Sequence, residues 1–205
     1  MELGFILYFI FVSTYIGASL LVLPFEYINY GSDYIVKSFY KSYKTLIVNV
    51  LFIPFFISLI FSNLPNTYNE NFNIYKFIVD NVVIWLSTDI IFWTTHRFLH
   101  IPGLYKLFHK KHHEFITPLG FTTLYANPVD FVFTNVTTIY LPLILLKSHY
   151  FTYYFWTFIG IFNSIYISHS SISSNNFHLL HHKKFNYNYG TDIFMDKLLN
   201  SYSIH

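Results

Sequence analysis

The chain of 205 residues is 54% hydrophobic and only 11% charged, against roughly 25% charged in an ordinary soluble domain. A mean hydropathy of +0.41 leaves too little charge to coat a water-facing surface, and this composition excludes disordered, collagen-like and coiled-coil classes. A net charge of +2 gives no reason to expect a nucleic-acid partner, and the absence of cysteine excludes disulfides and thiolate metal sites.

The expected class is an all-α, polytopic membrane bundle. A helix needs about 20 mostly apolar residues to cross the hydrocarbon core, and five stretches approach this. Leu3 to Leu23 is uncharged and ends at Pro24. It lacks a basic leader and reads as an anchor rather than a signal peptide. Thr45 to Ser62 contains Pro54, a predicted kink. Phe77 to Thr95 carries Asp80, Asn81 and Asp89. Val129 to Leu146 has Asp130 and Pro142 near its ends, and Tyr150 to Ser168 is rich in Tyr, Phe and Trp. Between them, Phe25 to Ser42 mixes aromatics with Lys and is expected along the interface. Asn63 to Asn73 reads as a polar loop. The expected architecture is therefore four to five transmembrane helices with a cytosolic, histidine-rich cap. Residues 1–75 would form an N-terminal anchor and 76–205 a catalytic domain.

Five spans place Phe25–Lys44, His96–Pro128 and His169–His205 on one side. These hold ten of the twelve Lys and Arg, leaving only Lys76 and Lys147 opposite. Such a bias marks a cytosolic face, so the C-terminus and both long polar segments are expected in the cytosol.

Eleven His stand out against this background, and eight of them fall into three boxes. These are HRFLH (His96, His100), HKKHH (His109, His112, His113) and HLLHH (His178, His181, His182). Random placement would yield about 0.03 HxxHH matches per chain, and two are present. On a helix, residues i and i+4 share a face, whereas the middle His of HxxHH points about 100° from the last. Each such box can offer imidazoles in two directions, which suits two adjacent metals. Eight imidazoles exceed what one tetrahedral zinc can use, and imidazole suits Zn, Cu, Fe and Ni. His169, at the same end of the fifth span, is a ninth candidate ligand. His149, on the opposite side, and the terminal His205 are excluded from the site.

At these boxes the chain resembles the fatty acid hydroxylase and sterol desaturase superfamily of integral-membrane di-iron enzymes. The HxxxH, HxxHH, HxxHH order is matched, and the flanks agree: Asp89 precedes HRFLH, Lys111-His112-His113 is followed by Pro118, and His181 to Gly190 resembles an HHxxFNxNYG ending. Asp196 occupies the place of the Asp in a terminal WDxxFGT. The likeness spans about Asp80 to the C-terminus. It departs at Asn127-Pro128-Val129-Asp130, where members often show HPxE. It departs also at Met195, which stands for Trp, and at Leu199-Asn200-Ser201 in place of Phe-Gly-Thr.

The resemblance implies two Fe ions (with Zn possible as purified) and dioxygen-dependent hydroxylation or desaturation of a lipid, either a sterol or a fatty acyl or sphingoid chain. Electrons are expected from a separate donor, a membrane cytochrome or reductase. The location is a membrane, that of the endoplasmic reticulum if the source is eukaryotic. No catalytic residue is assigned beyond the metal ligands. Rival expectations are a zinc hydrolase or lyase, a metal carrier, and a divergent relative that keeps metal for structure. A carrier would place its ligands inside several spans, and these His gather at one surface.

Asp89 lies about 10 Å deeper than His96 at 1.5 Å per residue. It is expected to accept an N–H from a ligand His on a neighbouring helix. Asn127 reads as an N-cap, Pro128 as the first helical residue and Asp130 as its capping partner. Asn188-Tyr189-Gly190 reads as a turn in which Gly takes φ > 0; its Asn188 is a candidate to hold a ligand His. One face of the Tyr150–Tyr166 aromatic run is a candidate cavity lining.

Overall fold

The computed structural model describes residues 2–63, 71–172 and 177–204, and among them all regular structure is helical. Helix α1 (Glu2–Leu46) runs through a wider i→i+5 stretch, Ile47–Phe52, into α2 (Ile53–Ser62). This run turns at Gly31, whose φ of 76° strains any L side chain. Gly4 and Ser58, each 27 residues from that turn, then touch, so closely that a methyl group on Gly4 would collide with the Ser58 carbonyl. The two arms zip together through Phe11, Tyr15, Ala18 and Val22 against Leu46 and Val50.

Helix α3 (Ile74–Leu99) starts at Asn73, whose side chain caps the Tyr75 and Lys76 amides. A second continuous run, Pro128–Leu145, ends in α4 (Thr137–Leu145); α5 (Tyr150–Asn163) continues through an i→i+5 stretch to His169. The short helices α6 (Phe177–Lys184) and α7 (Phe194–Leu198) complete the cap. Among the described residues three stretches are long and apolar enough to cross a bilayer: Leu3–Ser62, Ile74–Leu99 and Pro128–Leu145. The first amounts to about 90 Å of helix, three times a hydrocarbon core, and its reversal divides it into two arms. The Tyr150–His169 helix forms as expected, but its Tyr, Thr, Asn and Ser leave it outside that set.

The polarity of α3 is that of a membrane helix. Ile78, Val79, Val82, Val83 and Leu86 face outward, where hydrocarbon would wet them. Asp80, Thr88, Asp89 and His96 face the bundle. Each of these four α3 groups finds a partner or a cavity, as a low-dielectric interior requires. Asp80 pairs with Lys76 at 2.8 Å, and Asn81 accepts the Trp156 indole N–H at 2.9 Å.

Phe25–Ser42 is helical and folded around Gly31, and it packs on residues 114–122. Glu26 accepts the Gly120 amide at 2.6 Å, Tyr34 donates to Thr117 O at 2.5 Å, and Lys41 reaches Glu114 at 3.3 Å. Further along the hairpin, Asn49 donates to both Leu124 O (2.8 Å) and Ala126 O (3.0 Å). The N-terminal hairpin thus holds in place the strap that joins the second histidine box to Asp130. Of the expected polar loop at Asn63–Asn73, residues 64–70 lie outside the described residues.

The close approach at Gly4 yields a paired expectation. Gly4→Ala should destabilise the protein by about 1–3 kcal/mol through overpacking. Gly17→Ala, with open space around it, should leave stability unchanged or raise it by up to about 1 kcal/mol. Thermal unfolding in detergent measures both.

Candidate metal centre

Nine imidazoles meet where the bundle joins the cap. His96, His100, His109, His113 and His181 each bring one ring nitrogen within 4.8 Å of the others, and His112, His169, His178 and His182 form a second such group. The groups adjoin, with the His113 and His182 ring centroids 4.7 Å apart. The division follows box spacing. His109 and His113, four apart, enter the first group, and the middle His112 enters the second. In the third box His178 and His182 enter the second group and His181 crosses to the first. His149 instead caps the start of α5, accepting the Phe151 amide, and His205 lies outside the described residues.

Four of the nine rings are held by the nitrogen that faces away from the centre. His96 Nδ1–H donates to Tyr189 O at 2.8 Å, His181 Nδ1–H to Tyr187 O at 2.7 Å, and His109 Nδ1–H to Asp130 Oδ2 at 2.8 Å. In the second group His169 Nδ1–H donates to Ser164 O at 2.8 Å, with Thr123 Oγ1 at 2.9 Å. Ser164 is five residues before His169, so the i→i+5 stretch that ends α5 brings this carbonyl under its own ring. His109 likewise closes an i→i+5 stretch, Tyr105–His109.

These bonds fix tautomers: His96, His109 and His181 present bare Nε2 lone pairs inward. His113 Nε2 lies 3.1 Å from His109 Nε2 and 3.2 Å from His181 Nε2, and one proton cannot serve both contacts. Elsewhere in the two groups, Nε2 of His96, His100, His169 and His178 and both ring nitrogens of His182 are buried without a hydrogen-bond partner among the described residues. Protonation cannot relieve this crowding. Desolvation, joined by the neighbouring imidazoles, pulls His100 down to about 2 and His112 to about 3. The same causes hold His109, His113, His178, His181 and His182 well below the ordinary imidazole range. Converging neutral nitrogen donors without sulfur are what a divalent Fe, Zn, Cu or Ni ion takes, so the donor set fits two metal ions.

Several expectations about supporting residues are corrected. Asp89 meets no imidazole among the described residues; its oxygens accept the Asp192 and Met195 amides, each at 2.8 Å. Asn188 holds backbone as well: it donates to Phe177 O (3.1 Å) and Ser203 O (2.9 Å), fixing the start of α6 one residue before His178. Positive φ falls on Asn188 (59°) and not on Gly190. Gly190 is required for space, because a Cβ there would run into Asp89 Oδ1. Asn127 does cap, accepting the Val129 amide at 2.9 Å, but Asp130 turns away from the cap to orient His109. The signal for that role was a carboxylate at the mouth of an apolar span, where an ionisable group is functional by default. The carbonyls of Tyr187 and Tyr189 carry no side-chain signature and could not be read from sequence.

Asp196, fully buried, organises the tail. Its oxygens accept the Tyr189 amide (2.9 Å), the Gly190 amide (2.8 Å), Trp93 Nε1 (3.1 Å) and Ser201 Oγ (2.6 Å). It thereby sets the Tyr189 carbonyl that holds His96. Ser201, in the altered tail, keeps a hydroxyl on that carboxylate.

A cavity of about 340 Å³ opens from His96, His109, His112, His169 and His178 down between α3, the Pro128–Leu145 run and α5. None of the Tyr residues of α5 lines it; Trp156 and Gly160 do.

Two outcomes follow. Asp130→Asn should weaken metal binding by the five-histidine group about 10- to 100-fold and leave the four-histidine group unchanged, as Co²⁺ titration of stripped protein would show. For the metal-free protein, unfolded imidazoles gain protons below about pH 6.5 while the folded ones stay neutral. Stability is therefore fully present above that pH and falls as pH drops toward 3, by up to about 1.4 kcal/mol per pH unit for each buried His. Melting temperature against pH reads this directly.

The fatty acid hydroxylase family profile matches residues 81–201. Human fatty acid hydroxylase domain-containing protein 2 is 32% identical over 127 residues, covering 60% of this chain and 38% of that protein. The Delta(7)-sterol 5(6)-desaturase of Candida dubliniensis is 35% identical over 163 residues, covering 75% and 42%. The fatty acid hydroxylase ahd1 of Mycosarcoma maydis is 37% identical over 95 residues, covering 46% and 24%. The chain thus matches less than half the length of each of these relatives. No solved structure matches it. With the profile spanning more than half of the chain and taking in every residue of both imidazole groups, the chain belongs to the fatty acid hydroxylase family.

Proposed function

We propose that this protein is a membrane-bound di-iron oxidoreductase that hydroxylates or desaturates a lipid with dioxygen. The observation that carries the reading is the union of two neutral imidazole groups with a cavity that leads from them into the apolar bundle. His96, His100, His109, His113 and His181 would hold one iron, and His112, His169, His178 and His182 the other. Bound iron supplies the redox and dioxygen chemistry that amino-acid side chains lack.

The chain's own residues do the rest. Asp130, Thr123 and the carbonyls of Ser164, Tyr187 and Tyr189 fix ring orientation and keep inward-facing nitrogens unprotonated. Phe92, Ala126 and Phe177 line the upper cavity beside the histidines, where they exclude water and admit an apolar chain. Exposed Lys106, Lys110, Lys183 and Lys184 surround the cap and suit docking of an acidic electron donor, a cytochrome or reductase. The bias of cations toward this end supports a cytosolic cap, at the endoplasmic reticulum in a eukaryote.

Metal analysis of detergent-purified protein tests the proposal. About two irons per chain are expected, with about one lost in His181→Ala and the other in His182→Ala. Loaded protein given an electron donor and dioxygen should add oxygen to, or remove hydrogen from, membrane lipid, as seen by mass spectrometry. Zinc that resists replacement by ferrous iron, with no oxygen dependence, would point to a hydrolase or lyase and overturn the reading.

A further inference from the structure

The proposed oxidation of a lipid leaves the substrate's identity open, and the lower part of the cavity bears on it. On α3, Thr88 lies eight residues before His96. On the Pro128–Leu145 run, Thr138 lies eight residues after Asp130, which holds His109. Both threonines line the cavity, and at 1.5 Å per residue both sit about 12 Å below the histidine layer.

Threonines on these helices ordinarily turn their hydroxyls back onto their own backbone. Thr88 donates to Trp85 O at 2.8 Å, Thr134 to Asp130 O at 2.7 Å and Thr95 to Ile91 O at 2.9 Å. Thr138 does not. It is only 3% exposed, and its Oγ1 has no hydrogen-bond partner among the described residues. One turn nearer the histidines, Asn135 also lines the cavity and donates a single N–H, to Thr134 Oγ1 at 3.0 Å. A buried hydroxyl without a partner is unfavourable, unless a ligand completes it.

Beyond Thr138 the lining becomes apolar, with Trp85, Ile139, Trp156 and Gly160. The Trp156 N–H is already taken by Asn81. A Cβ on Gly160 would come within 2.7 Å of Ile139 Cδ1, so α4 and α5 are in contact there. No Lys or Arg lines the cavity among the described residues, so nothing there would neutralise a carboxylate. The polar group this level can take is small and uncharged.

We propose that Thr138, assisted by Asn135, binds a hydroxyl of an otherwise apolar substrate about 12 Å from the histidine layer, and so sets which carbon lies beside the metals. The substrate class is a lipid alcohol, inserted with its hydroxyl toward Thr138, and not a free fatty acid or a plain hydrocarbon. This rests on the reading of the site as a lipid oxidase.

The test is binding of 1-tetradecanol, tetradecane and myristate to the metal-loaded protein in detergent. Trp fluorescence reports occupancy, since Trp85 and Trp156 line the cavity, and affinities are expressed as mole fraction in the micelle. The alcohol should bind about five- to tenfold more tightly than the alkane, the value of one buried hydrogen bond, with myristate no better than the alkane. Thr138→Val should abolish the preference without altering alkane binding, and Thr138→Ser should retain it. Equal binding of alcohol and alkane to the wild type, no saturable response to the alcohol, or a preference that survives in Thr138→Val would overturn the proposal. Iron content of the same preparations separates the two levels. Iron without an alcohol preference defeats only the Thr138 assignment, whereas absence of iron defeats the reading of the site.

Discussion

Nine neutral imidazoles cannot be packed together in a low-dielectric interior unless something holds each ring and something positive meets their lone pairs. The chain supplies the first condition for four of the rings by named hydrogen bonds. Tyr189, Tyr187 and Ser164 carbonyls and the Asp130 carboxylate take the outward Nδ1–H of four rings. The inward nitrogens are then committed as acceptors, and burial denies them protons. A pair of divalent cations is the chemistry that satisfies such a geometry, and much of the remaining structure can be read as support for it.

That support comes from far along the chain. Asp89 and Asp196 grip residues 189–195 by their amides, so the tail that carries the Tyr189 carbonyl is fixed against α3 beside the His96 that it orients. The N-terminal hairpin, outside the matched family region, is more than an anchor. Asn49 and Glu26 hold the strap on which Thr123 and Asp130 stand. Polar side chains inside an otherwise apolar bundle are costly to bury, and here they are spent on backbone groups that position ligands.

The same economy applies in the cavity. Most helical hydroxyls are satisfied locally, which makes the bundle's interior behave as apolar toward a lipid. Ser19 and Thr152, like Thr138, lack a partner among the described residues, but only Thr138 of these three lines the cavity, and there it gives the interior a direction and a length scale.

The sequence alone was enough for the all-helical membrane class, the nine histidines and their partition into two directions. Hydropathy and i, i+4 geometry are local properties that survive any tertiary arrangement. It also disclosed that Asn127 and Pro128 open a helix, for the same reason. Tertiary structure decided what local pattern cannot encode. Asp130 serves His109, 21 residues away, and not its own helix end. Asp89 serves the tail and not a histidine. Gly190 is needed because two carboxylates crowd it, not for a positive φ. The two N-terminal spans already implied a reversal between them, but not that the helix runs on through Pro24 and turns at Gly31, since one glycine in a helical pattern bends the path only when the partner arm is there to receive it. Backbone carbonyls that orient the rings leave no trace in composition or spacing; they become visible only when the chain has brought residues nearly a hundred positions apart into contact, as with His96 and Tyr189.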